Sequence, residues 1–421
     1  MSFEPRTLQA PASVGACLAA LAIEDAVGIL HGGAGCDMKL HTLIHPHDPS
    51  GQVHTRVQCT KLRDADLVVD PAARLASMVR AMAERLGSRL AIVTSAGFVE
   101  ASGLDHGRLE AELNQRTGIE CVYVYAPDTG GDLFDGYSHA LAALAARFGG
   151  GGRTGVPTGG RVNLLGYLPD RPLPEHRANL AELGALLGGL GLTVNATLLD
   201  GSPAERLRGV ADADLSVALP WGVEVARGLR DAHGIPWVDA GLPIGLDATR
   251  SFLARVGEAA GVEAKAAALA DEGERRVLGA VRSAAEPLQG RRVALFADGP
   301  RLKGLLGLCR DLRMVPVAAG VLDGRVAALD GHGFERLEIL DDPGQPTEAA
   351  WLERAAAERA VDLVVGPWPE VSMARRAGLA GLEFGFPCRD WRPLWAVPTV
   401  GYAGALATAS RMVEAVGRSR A

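Results

Sequence analysis

Several familiar catalytic signatures are missing from this chain. No Gly-x-x-x-x-Gly-Lys-Ser/Thr loop occurs, which argues against nucleotide hydrolysis by the chain itself. No Gly-x-Gly-x-x-Gly follows a strand-like run, so any Rossmann-like unit need not bind a dinucleotide. Neither a Gly-x-Ser-x-Gly elbow nor a His-Glu-x-x-His helix is present. Cysteine is sparse: Cys17, Cys36, Cys59, Cys121, Cys309 and Cys388 are far apart and form no Cys-x-x-Cys pair. That spacing suggests neither a zinc knuckle nor a secreted disulfide framework. There is no long Lys/Arg run and the net charge is −7, so nothing points to nucleic acid. The longest apolar run, Val14 to Leu30, is broken by Glu24-Asp25, and the amino terminus has no basic segment with an apolar core. Neither a membrane span nor a targeting segment is expected, and the chain reads as soluble and cytoplasmic.

What is present fits an α/β protein. The 421 residues allow roughly two to four domains. Hydrophobic residues make up 48%, aromatics only 5%, and there are 53 glycines, a composition suited to close helix–sheet packing. Ser13 is placed to cap a first helix through Ala16–Ile23, and Val27-Gly28-Ile29-Leu30 reads as a buried strand. The alternation continues with a helix over Arg74–Leu86, strand Leu90–Thr94, helix Leu109–Thr117, strand Glu120–Tyr125 and helix Tyr137–Phe148. This rhythm predicts a doubly wound parallel sheet. A glycine-rich stretch from Gly149 to Gly160 reads as a linker. The rhythm then restarts at Val162–Leu165 and again at Arg292–Phe296, and a last helix covers Ala403–Val416. The expected architecture is three Rossmann-like parallel-sheet units in series: residues 1–150, 161–288 and 289–390, with a C-terminal helix in 391–421 packing back.

The chemistry concentrates in Leu30-His31-Gly32-Gly33-Ala34-Gly35-Cys36. Three glycines let the backbone pass close to a neighbour and leave the cysteine projecting. Such a thiolate suits a soft metal or a cluster, while a free cysteine in a turn also serves as a small buried hydrophobe. On these residues alone both readings stand. His41, His45, His47 and His54 follow, but Pro46 and Pro49 break any helical ligand pair and no established metal spacing fits, which favours a polar loop. Cys17, Cys121 and Cys309 read as core, Cys388 as packing at a turn, and Glu100 and Asp105 as residues that cap or orient a helix.

The His-Gly-x-x-Gly-Cys start and the three-unit rhythm come with the endings Gly385-Phe-Pro-x-x-Asp390 and Val400-Gly-Tyr-x-Gly404. In this order they resemble component 1 of nitrogenase and its relatives. Those relatives include cofactor-assembly scaffold subunits, light-independent protochlorophyllide reductase, chlorophyllide reductase and methylthio-alkane reductase. The resemblance covers nearly the whole chain. It implies a [4Fe–4S] cluster held by three cysteines in the β-type catalytic subunits. One of these lies four residues before the glycine matching Gly15, where this chain has Pro11. The second matches Cys36. The third lies in Thr-Cys-x-x-Glu-x-x-Gly-x-Asp, which here reads Thr94-Ser95-Ala96-Gly97-Phe98-Val99-Glu100-Ala101-Ser102-Gly103-Leu104-Asp105, with Ala96 at the cysteine position.

A four-iron cluster takes four ligands, commonly thiolates, and one of three survives here. The resemblance therefore implies that Cys36 is the sole ligand from this chain, framed by Gly33 and Gly35. A homologous α- or E-type partner would carry the other three cysteines, and it is the chain that would hold any iron–molybdenum-type cofactor precursor. That pattern is similar to the N-type cofactor-assembly scaffold subunit of a heterotetramer. A separate ATP-dependent iron-protein reductase would supply electrons. After Cys36 the family's aromatic-rich segment is replaced by the histidine-rich loop, and Asp70-Pro71 stands where many members have Gly-Gly. A β-like subunit of a reductase acting on a tetrapyrrole or organic sulfur compound, and a cluster-free α/β binding protein, are the alternatives. Cys59, close in sequence, matches a cysteine that is not a ligand in the family.

Overall fold

The computed structural model describes residues 10–38, 40, 48, 51–63, 66, 70–129, 131–150, 159–168, 173–331 and 333–418. His41, His45 and His47 lie outside them, as do residues 151–158 of the glycine-rich stretch. The chain divides into two compact units, one of Thr7–Pro172 with Val194–Val238, the other built from Leu173–Thr193 with Asp239–Ala421.

The first unit holds two sheets. In one, β1 (Ala26–His31), β2 (Val57–Cys59), β3 (Leu90–Ser95) and β4 (Glu120–Tyr123) run in the order β2-β1-β3-β4. Every pairing in it is parallel. All residues of β1 and β3 are buried. Helices therefore cover both faces, which is why these strands read as continuous apolar runs. One cover is the helix Pro71–Leu86, started by Asp70, whose side chain accepts from the N–H groups of Ala72 (3.1 Å) and Ala73 (3.0 Å). Its Leu75 and Val79 share a core with Val27, Ile29 and Val93 and with Leu109 and Leu113 of the helix His106–Thr117. On the other side, the helices Ala12–Ala19 and Leu133–Gly149 meet at bare backbone. A Cβ on Gly15 would lie 2.0 Å from the Leu133 carbonyl oxygen, and one on Gly136 would lie 1.8 Å from that of Ala12. Only glycine permits this crossing.

The first helix starts at Ala12 rather than at Ala16, with Pro11 at its cap position. Ser13 sits inside it, and its hydroxyl donates to Asp128 instead of capping. The second sheet contains β5 (Arg161–Leu165), β6 (Thr193–Ala196), β7 (Leu215–Ala218) and β8 (Trp237–Asp239), ordered β6-β5-β7-β8.

The second unit is built on β9 (Arg292–Ala297), β10 (Val315–Val321), β11 (Glu338–Asp341), β12 (Leu363–Gly366) and β13 (Gly381–Glu383), ordered β11-β10-β9-β12-β13. All four pairings are parallel. The terminal helix Gly401–Arg418 packs on the helices Glu263–Ala284 and His176–Gly189. A Cβ on Gly273 would strike the Tyr402 ring at 2.2 Å. Asn179 holds the entry to that helix, accepting from Thr399 N–H at 2.7 Å and donating to its hydroxyl at 3.0 Å. The expected α/β architecture with parallel sheets is thus the one observed. Among the described residues no helix is long and apolar enough to cross a membrane.

Candidate functional site

The order β2-β1-β3-β4 has its topological switch between β1 and β3, because the chain leaves β1 to one side for β2 and to the other for β3. Adjacent loops diverge at such a point and open a crevice at the carboxyl ends of the strands, the usual ligand position in open α/β sheets. Cys36 lies on one lip of this crevice and Ala96 on the other.

The backbone shows how the lips part. The Leu30 carbonyl accepts from Thr60 N–H (3.0 Å) and the Gly32 carbonyl from Leu62 N–H (2.8 Å). On the opposite side the His31 carbonyl accepts from Ala96 N–H (2.9 Å). Beyond Gly32 the chain turns back, closed by Cys36 N–H to the Gly33 carbonyl (3.2 Å) and Met38 N–H to that of Gly35 (3.0 Å). Gly35 adopts φ +97°, a conformation that would strain any other residue. Gly33 bridges to Leu62, and the Phe98 ring lies 3.2 Å from where its Cβ would sit.

Gly32 is the tightest point. A Cβ there would lie 2.9 Å from Ala96 Cβ and 3.3 Å from Cys36 Sγ. The glycine therefore leaves space that both the thiol and Ala96 border. The Pro11 region reaches the same place. Asp128 accepts from Ser13 Oγ with one oxygen and from Gly97 N–H at 3.3 Å with the other. Segments around Pro11, Cys36 and Ala96, distant in sequence, thus converge.

The thiols around the site differ sharply. Cys36 is half-buried, and no described residue hydrogen-bonds its Sγ. Cys59 is buried and points its Sγ at the Gly32 and Gly33 carbonyls, each at 3.5 Å. Burial pushes its thiol up to about 11. Cys17 is fully buried in the first helix and its thiol is pushed up further by the same cause. These two serve the turn and the core, and among the six cysteines Cys36 is the one that is not buried.

Two neighbours complete the frame. His31 is buried, its Nδ1 3.3 Å from Thr60 Oγ1, and desolvation lowers its pKa to about 4, so its ring is neutral. Glu100 does not cap a helix. Its Oε1 accepts from the Tyr123 hydroxyl (3.0 Å), which also lies 2.8 Å from Ser95 Oγ, and its Oε2 is 3.2 Å from His106 Nε2. Asp105 does cap, accepting from Arg108 N–H at 3.0 Å. His54 falls on the short helix Gln52–Arg56, and no three His, Cys, Asp or Glu among the described residues are grouped to hold a metal. The glycine run already places Gly32 in the site by sequence, whereas nothing in the sequence singles out Thr60 and Phe98. Thr60 follows β2 beside β1 and Phe98 follows β3, so strand pairing brings both in.

The site is thus a half-buried thiol in a glycine-framed turn at the switch point of a doubly wound sheet. The family model described as nitrogenase component 1 type oxidoreductase matches residues 11–417, and the chain belongs to that family. It is 22% identical over 426 residues to the nitrogenase vanadium-iron protein beta chain of Trichormus variabilis, covering 93% of this chain and 89% of the relative. It is 24% identical over 429 residues to the nitrogenase iron-iron protein beta chain of Rhodobacter capsulatus, covering 95% and 91%. A shorter match, 32% over 257 residues, links it to a light-independent protochlorophyllide reductase subunit of Halorhodospira halophila, with 58% of this chain and 46% of that protein covered. The solved structure "Nitrogenase Cp1 at pH 6.5" has the same fold, with a TM-score of 0.81 over 99% of this chain and 94% of that one at 19% identity.

Proposed function

We propose that this chain is the iron–sulfur subunit of a nitrogenase component 1-like heterotetramer, of the N type that serves as a scaffold for iron–molybdenum cofactor assembly. Cys36 contributes the single thiolate of this chain to a [4Fe–4S] cluster, and a homologous E-type partner contributes three. The observation that carries this reading is the single open thiol on the switch-point crevice, with Pro11 and Ala96 at the other two ligand positions. The residues fit one quarter of such a site: Gly32 leaves room for the sulfur, and Cys59 and Cys17 are turned inward. When bound, the cluster would supply one-electron transfer at a low potential, set by burial and hydrogen bonding around its sulfurs. Electrons would come from an ATP-dependent iron-protein reductase, in keeping with the lack of a phosphate loop in this chain. Gly33 and Gly35 shape the turn that presents the sulfur. No nucleic acid or membrane enters this role.

A second reading is a β-like subunit of a reductase acting on a tetrapyrrole or organic sulfur substrate. The identity with the protochlorophyllide reductase relative favours it. The test of the cluster assignment is Cys36→Ser in the anaerobically co-purified complex. The expected result is loss of iron, acid-labile sulfide and the reduced-state paramagnetic signal. Full retention of all three would overturn it. Assays of the reconstituted complex with its reductase then separate the two roles: transfer of a finished cofactor to an empty acceptor marks the scaffold, and substrate turnover without transfer marks the reductase.

A further inference from the structure

The second unit carries a concentration of arginine that the cluster reading does not use. Two adjoining cavities, of about 750 Å³ and about 490 Å³, lie along the edge strand β13 and share Arg375 and Asp390. The smaller is lined by Trp368, Ser372, Arg375, Arg376, Arg389 and Asp390. The larger adds Arg411 and Arg418 from the terminal helix. Five guanidinium groups thus face one groove of a chain whose net charge is −7.

Two of these arginines are already neutralised by carboxylates of the same groove. Asp390 pairs with Arg375 at 2.8 Å, and Glu414 pairs with Arg418. Glu383 is buried and accepts from the N–H groups of Arg389 (2.9 Å) and Asp390 (3.1 Å) and from Cys388 Sγ (3.0 Å). Part of the arginine set has a structural duty. Arg411 donates to the Glu383 carbonyl, Arg375 lies 3.4 Å from that of Gly381, and together they cover the sheet edge. Arg376 and Arg389 do neither. Among the described residues no carboxylate lies within ion-pair distance of either, and Arg389 only stacks over Trp368, 4.7 Å from the ring centroid. Stacking on Trp368 restrains Arg389 in the cavity that Ser372 also lines, and a planar guanidinium held this way is suited to bidentate binding of an oxyanion.

We propose that this groove binds a compact multivalent oxyanion, a di- or triphosphoryl group or a polycarboxylate, with Arg376 and Arg389 as its principal ligands and Arg375 and Ser372 at its rim. The site lies wholly within the second unit, and the proposal stands whether or not Cys36 holds a cluster.

The test is calorimetric titration of the full chain, at low ionic strength, with inorganic pyrophosphate in one arm and citrate in the other. Sodium chloride matched for ionic strength is the blank. Saturable binding of one anion per chain is expected in at least one arm, and the stronger arm identifies the ligand class. The double variant Arg376→Gln/Arg389→Gln should weaken it roughly tenfold or more, the loss of two charge-assisted bonds. Both residues are exposed and cap no strand, so the variant should keep its fold, which circular dichroism checks. Arg230→Gln, on the separate helix Val223–His233, should leave the affinity unchanged. No saturable binding in either arm, or equal weakening by Arg230→Gln, overturns the proposal.

Discussion

Two parallel strands of this protein run into a glycine-bearing turn that carries a cysteine, and the two turns treat the thiol in opposite ways. After β1, the turn at Gly32–Asp37 leaves Cys36 half-buried with no described hydrogen-bond partner for its sulfur. After β13, the turn at Phe384–Cys388 buries Cys388 to 2% exposure and has its thiol donate to Glu383 Oε2 at 3.0 Å. Burial first, and then the Glu383 contact, push the Cys388 thiol well above its ordinary range. The difference is burial together with one carboxylate. Glu383 gathers the thiol and the N–H groups of residues 389–391 and makes the cysteine part of the turn. No such acceptor among the described residues faces Cys36. The contrast explains why one glycine-framed cysteine is a ligand candidate and the other is not.

The largest expected effect on this contrast is in thiol reactivity. In the iron-free chain, N-ethylmaleimide should modify Cys36 first, with Cys388 at least about a hundredfold slower because reaction there waits for local opening. Mass spectrometry of peptides over time measures this, and comparable rates would erase the distinction. Next, Glu383→Ala should cost about 2–5 kcal/mol in denaturant unfolding, since it leaves several buried donors unpaired. It should also raise Cys388 labelling while leaving Cys36 unchanged.

The smallest effect belongs to the first turn and to acid. His31 is neutral when folded, with its pKa lowered to about 4, and protonates near 6.5 when unfolded. The unfolded state therefore binds more protons in that window. The stability contributed by His31 is present above pH 6.5 and is lost as pH falls toward 4, by at most about 3 kcal/mol. Urea midpoints measured across this range should fall, and His31→Asn should flatten the slope. An unchanged slope in the variant would place the acid sensitivity elsewhere.

Much of the framework is legible in the sequence. The strands at Val27–Leu30, Leu90–Thr94, Val162–Leu165 and Arg292–Phe296 are apolar runs between glycines and helical patterns, and a buried parallel strand leaves that trace. The short strands were not legible. Val57–Cys59, Trp237–Asp239 and Gly381–Glu383 span three residues each at the edges of their sheets. They are strands because a neighbour offers them a ladder, and three residues hold too little periodicity to announce it. The first helix was misplaced for a similar reason: Ser13 has the chemistry of a cap, but Asp128, over a hundred residues away, takes its hydroxyl.

The sequence by itself determined that Cys36 is the one cysteine at the three expected ligand positions, because Pro11 and Ala96 carry no thiol whatever the fold does with them. It also determined the parallel α/β class through the spacing of its apolar runs. Only the tertiary structure decided which thiols are open. That outcome depends on strand order, which puts the switch point between β1 and β3, and on contacts between segments far apart in the chain. Glu383 locks Cys388, the Gly32 and Gly33 carbonyls hold Cys59, and the space left by Gly32 is the difference for Cys36.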